Sequence, residues 1–214
     1  HVVFGKTVPD VSLNAVANLG YAEGRFLKPV YAGDTLRSVS EVIGLKQNSN
    51  GKTGVLYVRT TGFNQRDDAV LEYARWVMVR KRDLTAPAPE TVIPNLAKEV
   101  NAETIVVPDG LDFTRYDFKL AGEPHRWSDY AVGEVSDHVD GVTLEESEHM
   151  MATRLWQNTA KVHFDVTSRP DGKRLIYGGH IISLARALSF NGLANAQMIV
   201  AINGGAHANP AFSG

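Results

Sequence analysis

The sequence contains no cysteine and no long uninterrupted run of apolar residues. Without thiols the chain can form neither a disulfide nor a cysteine-ligated metal site, and a cysteine nucleophile is excluded. A membrane-spanning helix needs about 20 consecutive apolar residues, and no basic-then-apolar signal segment opens the chain, which starts at His1. We therefore expect a cytoplasmic protein that does not act at a membrane.

An excess of charge of one sign is also lacking. The 22 lysines and arginines nearly balance the 24 aspartates and glutamates, and the formal net charge is -2. This balance gives no general electrostatic reason to bind nucleic acid or an anionic membrane surface, so an anionic ligand would need a local basic pocket. The 214 residues, 43% of them hydrophobic, can bury one sizeable core or two modest ones.

Three runs rich in branched and aromatic residues indicate an antiparallel meander, at 35–47, 52–63 and 69–82. Asn48-Ser49-Asn50-Gly51 separates the first two runs, and Asn50-Gly51 is a strong signal for a two-residue hairpin turn. The polar stretch 64–68 separates the second and third runs.

A stretch punctuated by prolines follows the meander and predicts an inter-domain linker over 84–112, with a long loop inside one domain as the alternative. Residues 1–83 and 113–214 would then form two units. In the second unit, Thr143 and Glu146 have the spacing of a capping box for a helix that runs to about Trp156. A second helix is predicted from Gly179 to about Phe190. Because it is apolar nearly all round, we expect a sheet to wrap it.

A shift of 181 positions aligns part of the chain with itself. Five residues match, so that the sequence from Pro29 to Gly33 corresponds to the sequence from Pro210 to Gly214. The first copy leads from Gly33 into the meander, whereas the second copy reaches Gly214 without one. We therefore expect two incomplete repeats from the middle of a longer protein of about 350 residues.

Two segments of the second unit contain residues suited to chemistry. His163 follows a polar run, and imidazole titrates near neutrality, so it can exchange a proton with water; it can equally be a structural histidine. Asn158 can orient a water or cap a turn. Gly178-Gly179, at the start of the second helix, can present free N–H groups to a thioester oxygen or its enolate, or can simply permit close packing.

The pattern Asn158-x4-His163 followed by Ile176-Tyr177-Gly178-Gly179 resembles the signature of MaoC-type hot-dog hydratases. The resemblance implies an α+β hot-dog fold, in which an antiparallel sheet wraps a central helix. It also implies that His163 is the acid/base residue, that Gly179 donates to the thioester oxygen, and that Gly178 and His180 help to bind the substrate. The family carries an aspartate where this sequence has Asn158, and an asparagine can hold a water but cannot take its proton.

Longer segments resemble the mesaconyl-CoA hydratases, also called β-methylmalyl-CoA dehydratases, which are double hot-dog proteins. The segments are 4–10, 17–21, 25–30, 154–160, 176–180 and 183–190. This resemblance implies reversible hydration of a branched C5 dicarboxylyl thioester of coenzyme A, with no metal or redox cofactor. The free carboxylate of such a substrate needs a cation, for which Arg174 and Arg186 are candidates, although a surface charge and a helix-face salt bridge are simpler roles for them.

Two other functions remain open. An acyl-CoA thioesterase of the same fold would need a carboxylate near the start of the second helix, and Asp171 lies seven residues before Gly178. A non-catalytic domain would use the degenerate Asn158–His163 pair only for binding or dimerisation. In each case the incomplete sheets would leave open strand edges, so a homo-oligomer is expected.

Overall fold

The computed structural model describes residues 1–122 and 124–214, and its main element is one antiparallel sheet of five strands. The strands are β1 (Ala15–Phe26), β2 (Arg37–Gln47), β3 (Thr53–Phe63), β4 (Ala69–Arg80) and β5 (Ala201–Ala206). Their order in the sheet is β2-β3-β4-β1-β5. The predicted meander is therefore confirmed as β2, β3 and β4, whereas β1 and β5 are additions to the predicted set of strands.

The turn between β2 and β3 is longer than the predicted two-residue turn. Asn48 N–H donates to the Thr53 carbonyl at 2.9 Å, and Gly51 adopts a left-handed φ of 64°. The Asn50 side chain accepts hydrogen bonds from the backbone N–H groups of Lys52 and Thr53. Five residues, 48–52, thus connect the strands, because the asparagine side chain substitutes for a backbone acceptor.

Within the described residues, three α-helices accompany the sheet: α1 (Val2–Thr7), α2 (Glu146–Leu155) and α3 (Gly178–Leu188). A π-helical turn, Val8–Ser12, follows α1, and short 3-10 turns lie at Ala102–Thr104, Trp127–Asp129, Lys161–His163 and Val166–Ser168. The two predicted helices of the second unit are confirmed within about one turn of helix at each end. The predicted capping box is wrong: α2 begins one residue after Glu145, and no side chain caps it.

The sheet packs against α1 and its π-helical turn. Val3 of α1 is 4% exposed and lies against Gly62 of β3, where an added Cβ would come within 2.6 Å of its Cγ2. Arg75 of β4 is fully buried; it donates to Thr7 Oγ1 at 2.9 Å, and its guanidinium lies 4.5 Å from the centre of the Phe4 ring. These contacts make α1 the helix that the sheet covers.

The expectation that a sheet wraps α3 is wrong for this chain. Ile182 of α3 is 50% exposed and Phe190, just beyond its end, is 49% exposed. The physical reason is that the three strands of the meander follow α1 in the sequence and fold over it, whereas only β5 follows α3. An apolar helix with one strand after it keeps much of its surface exposed.

The pairing of β1 with β5 has the symmetry that the repeat predicts. Gly20 pairs with Ala206, and Arg25 pairs with Ala201. The shift of 181 positions carries Gly20 onto Ala201 and Arg25 onto Ala206, so each pair is converted into the other. Corresponding strands of the two copies therefore meet across a local twofold axis.

The segment 84–112 is irregular, as expected for a connection, but it lies on the sheet. Val92 and Leu45 exchange two backbone hydrogen bonds of 2.8 and 2.9 Å at the edge of β2. Ala97 N–H donates to Glu23 of β1, and Val100 N–H donates to Asn203 of β5. Since β1 and β5 also join the two units in one sheet, the division at 83 and 113 remains a prediction.

Candidate active site

His163 lies in the 3-10 turn after α2, and only 8% of it is exposed. Its Nδ1 is 2.7 Å from the Leu175 carbonyl oxygen, and since a carbonyl can only accept, Nδ1 carries the proton. Nε2 is then left with its lone pair free to act as a base. Burial lowers the pKa of His163, although the hydrogen bond to Leu175 opposes the shift, so the imidazole is neutral at pH 7.

Asn158 precedes His163 in the same connection and is 3% exposed. Gln157 precedes it, and the left-handed φ of 58° at Gln157 turns the backbone away from the axis of α2. Its Oδ1 accepts a hydrogen bond from the Ala160 N–H at 3.0 Å. Asn158 therefore caps a turn, one of its two expected roles, and what it can still offer to a ligand is an amide N–H donor.

The start of α3 combines tight packing with N–H groups that the helix does not use. His180 N–H donates to the Tyr177 carbonyl at 2.9 Å, so Gly178 and Gly179 precede the first donor that is bonded within the helix. An added Cβ at Gly178 would lie 2.2 Å from Cε1 of His207, and one at Gly179 would lie 2.5 Å from the Tyr177 ring. Both glycines are required for packing, and their N–H groups carry the positive end of the helix dipole.

Two further histidines lie beside His163. The ring of His149, on α2, is 6.0 Å from that of His163 and 5.9 Å from that of His180, on α3. His180 is 4% exposed, and neither ring nitrogen has a hydrogen-bond partner within residues 1–122 and 124–214. A buried polar group without a partner is costly, and such groups commonly face a ligand or an ordered water. The structure thus places His180 in one cluster with His149 and His163.

His149 is the residue that the sequence reasoning missed. It is 1% exposed, and its Nε2 accepts a hydrogen bond of 2.9 Å from the Tyr177 N–H. The available signal was its spacing: His149, Thr153 and Trp156 lie at positions i, i+4 and i+7 of α2 and so share one face. Thr153 is fully buried, and this polar face packs toward the start of α3.

The candidate arginines lie at different distances from this site. Arg174 forms an ion pair with Glu146, and its charge helps to lower the pKa of His149. Arg186 contacts Ser189 Oγ and the Ala196 carbonyl, both at 3.4 Å, beyond the far end of α3. Seven residues of helix separate Arg186 from Gly179, which corresponds to about 10 Å. Arg174 is therefore the nearer cation.

Asp171, the carboxylate considered for a thioesterase, is occupied elsewhere. It pairs with Arg169 at 2.5 Å and is 43% exposed. The hydrogen bond from Arg169 lowers the pKa of Asp171 to about 2, with help from the Lys173 N–H.

Among the described residues, no group of three or more histidine, aspartate and glutamate side chains is arranged to hold a metal ion. Of the helices in the described ranges, none has the length and hydropathy to cross a membrane.

Comparison with known proteins identifies two close relatives. Over all 214 residues the chain is 75% identical to mesaconyl-CoA hydratase of Cereibacter sphaeroides. It is 62% identical to beta-methylmalyl-CoA dehydratase of Chloroflexus aurantiacus, again over its whole length. The chain spans 62% of the length of each of these relatives. No protein-family profile matches the sequence.

Solved structures give the same relationship. A MaoC domain dehydratase from Chloroflexus aurantiacus superposes with a TM-score of 0.96 at 62% identity, over 100% of this chain and 62% of the other. A conserved protein of Mycobacterium tuberculosis, described as a double hotdog fold, superposes with a TM-score of 0.66 at 25% identity, over 100% of this chain and 64% of the other. The α+β hot-dog expectation is thereby confirmed, and over its whole length the chain is similar to MaoC-type hot-dog proteins.

Proposed function

We propose that the protein that contains this sequence catalyses the reversible addition of water to a short branched enoyl-CoA thioester. Mesaconyl-CoA would be the unsaturated partner and β-methylmalyl-CoA the hydrated one. The observation that carries the proposal is the 75% identity, over the whole chain, to a mesaconyl-CoA hydratase. The second relative bears the name of the reverse reaction, which is consistent with one site acting in both directions.

The proposed mechanism assigns the acid/base step to His163. Its Nε2, left as an acceptor by the bond from Nδ1 to Leu175, takes a proton from water as the water oxygen adds to the β-carbon. The electron pair of the double bond moves onto the thioester oxygen as an enolate, which the Gly179 N–H stabilises. The imidazolium then returns its proton to the α-carbon, so one water has been added and His163 is neutral again. This sequence of steps needs no metal or redox cofactor.

Asn158 contributes orientation in this proposal. Its Oδ1 is engaged by the Ala160 N–H, so its amide N–H can hold the water oxygen while His163 accepts the proton. Gly178 and His180 also lie at the start of α3. Gly178 allows His207 to approach the backbone closely, and His180 has two ring nitrogens without hydrogen-bond partners among the described residues. His180 is therefore proposed to contact the substrate.

The free carboxylate of the substrate would be met by Arg174 in preference to Arg186. Arg174 lies near the histidines, and its Nε is buried without a hydrogen-bond partner in the described parts of the chain. Arg186 is about 10 Å farther along α3 than Gly179. A short acyl group bound at Gly179 would therefore reach Arg174 more readily.

The experiment that tests the proposal compares two products from mesaconyl-CoA. Loss of the enoyl absorbance without release of free thiol is the expected result for a hydratase. Release of free coenzyme A with the same time course would instead identify a thioesterase. The position of Asp171, bound by Arg169 and 43% exposed, favours the hydratase.

A cytoplasmic location and a homo-oligomeric state belong to the same proposal. The absence of cysteine is compatible with a reducing compartment. The oligomer is supported by the positions of β2 and β5 at the two edges of the sheet, where another chain can pair with a strand.

A further inference from the structure

The segment that leads into α3, residues 175–177, is held on both sides by histidines. His163 donates from Nδ1 to the Leu175 carbonyl at 2.7 Å. His149 accepts at Nε2 from the Tyr177 N–H at 2.9 Å. One imidazole therefore satisfies a backbone acceptor and the other a backbone donor, two residues apart in the chain.

The Tyr177 N–H depends on a partner outside α3. Tyr177 is the residue before the helix, with an extended backbone of φ -62° and ψ 122°, so its N–H has no acceptor in a preceding helical turn. The residue is 5% exposed, which removes water as a ready substitute. An unpaired buried N–H is costly, so the bond to His149 stabilises this backbone geometry.

The geometry points to His149 as a positioning residue for the proposed hydration: acting as a neutral acceptor, it fixes the start of α3 relative to His163. This inference rests on the proposed function, because the two groups it aligns are the base at His163 Nε2 and the N–H of Gly179. Gly179 follows Tyr177 by two residues, so a rotation at Tyr177 moves the donor relative to the base. Displacements of about 1 Å at such sites can cost about a hundredfold in rate.

The surroundings of His149 keep it in the acceptor form. The titratable and charged groups that face it are His163 on the adjacent turn, His180 on α3, Arg174, and Glu146 on α2 itself. Burial, followed by the two histidines and Arg174, lowers the pKa of His149 to about 4, and Glu146 opposes this shift. At neutral pH the imidazole therefore remains an acceptor toward Tyr177.

The test uses two substitutions that place a side-chain hydrogen-bond acceptor at different distances from the Tyr177 N–H. In His149→Gln the side-chain oxygen can occupy the position of Nε2, whereas in His149→Asn it reaches only the position of Nδ1. Met151→Gln is the matched control, because Met151 also lies on α2 and is 63% exposed. Hydrogen exchange at the Tyr177 amide and hydration of mesaconyl-CoA are measured for each variant of the protein.

We expect His149→Asn to speed exchange of the Tyr177 amide about tenfold. We expect kcat to fall by about 10- to 100-fold while KM changes much less. His149→Gln should recover most of both properties, and Met151→Gln should match the unmodified protein. Equal effects of Asn and Gln, or unchanged exchange at Tyr177 in the Asn variant, would overturn the inference.

A measurement on the unmodified protein covers the case in which His149→Asn does not fold. As the pH falls toward the pKa of His149, protonation removes the acceptor, so protection of the Tyr177 amide should be lost before that of the amides in β3. Simultaneous loss at both places would contradict the inference. If exchange follows His149 as expected but no form of the protein hydrates mesaconyl-CoA, the proposed function fails and the positioning contact stands.

Discussion

At the scale of single residues, His163 has the environment that an acid/base group requires. It is buried and neutral, and one nitrogen is committed to the Leu175 carbonyl. Replacement by alanine removes the proton acceptor while leaving a small cavity. We expect His163→Ala to lower kcat for hydration of mesaconyl-CoA by about 10²- to 10⁴-fold.

The control for this prediction is Lys161→Ala, an exposed position two residues earlier, which should retain activity. Circular dichroism of both variants verifies that the fold is kept. Turnover that survives in a folded His163→Ala protein would remove His163 from the mechanism and favour the non-catalytic alternative.

His149 predicts a dependence of stability on pH. Its pKa is about 4 in the folded protein, against 6.5 for an ordinary histidine. Between these values the unfolded chain binds a proton that the folded protein does not, so lowering the pH from 6.5 to 4 favours unfolding. We expect a loss of up to about 3 kcal/mol of unfolding free energy from this group.

Urea denaturation at a series of pH values measures this loss. His149→Gln cannot titrate, so its stability should decline less over the same pH interval, and the difference between the two proteins isolates His149. Parallel curves for the two proteins would show that the pKa of His149 in the folded protein is that of an ordinary histidine.

The candidate residues were predictable to different degrees. His163 and Gly179 could be proposed from the sequence because they lie within a short linear pattern whose spacing the chain keeps. His149 lies outside that pattern: its spacing from Thr153 indicates a shared helix face, but its contact with the Tyr177 backbone, 28 residues away, is made only in the folded chain. The role of Asn158 as a turn cap depends on which acceptor the Ala160 N–H finds, which only the folded chain decides.

At the scale of elements, α1 and the end of α2 are in direct backbone contact at Gly5. An added Cβ at Gly5 would lie 1.8 Å from the Trp156 carbonyl oxygen, a backbone atom that cannot move by changing a rotamer. Alanine is favoured over glycine inside a helix by about 1 kcal/mol. Overpacking should outweigh this gain, so we expect Gly5→Ala to lower the unfolding free energy by about 1–3 kcal/mol.

Thermal denaturation of Gly5→Ala beside Lys6→Ala checks this prediction. Lys6 is exposed in the same helix, so its substitution reports helix propensity without crowding α2. A Gly5→Ala protein that is as stable as the parent would mean that α1 and α2 do not pack backbone to backbone.

The strands of the meander were predictable because the turns at 48–52 and 64–68 interrupt runs of branched residues. β1 and β5 were not, because β1 is stabilised by pairing with both β4 and β5, and β5 by pairing with β1, and not by composition. β5 contains Asn203-Gly204-Gly205, residues that disfavour strands locally. Pairing with Tyr21 and Ala22 of β1 supplies the stability that the local sequence of β5 does not provide.

At the scale of the whole molecule, large apolar side chains remain in contact with solvent. Trp127 is 93% exposed and Leu120 is 87% exposed, both in the irregular region before α2. Together with the strand edges at β2 and β5, this surface favours association. We expect the 214-residue chain to sediment as oligomers or aggregates at micromolar concentration.

Sedimentation velocity at several concentrations measures this association, and Trp127→Lys should shift the distribution toward smaller species. A monodisperse monomer with a single sharp thermal transition would contradict the prediction. It would mean that the exposed apolar residues are too dispersed to drive contact.

The twofold pairing of β1 with β5 has a consequence for how the two copies can diverge. In an assembly of two identical subunits every substitution occurs twice, at both symmetry-related places. Two copies within one chain can change independently, and their contact no longer depends on protein concentration. Phe26 and His207 occupy equivalent positions under the shift of 181, yet His207 lies beside Gly178 and 3.3 Å from the Tyr21 hydroxyl. Covalent linkage thus permits one copy to specialise while its counterpart keeps an ordinary apolar residue.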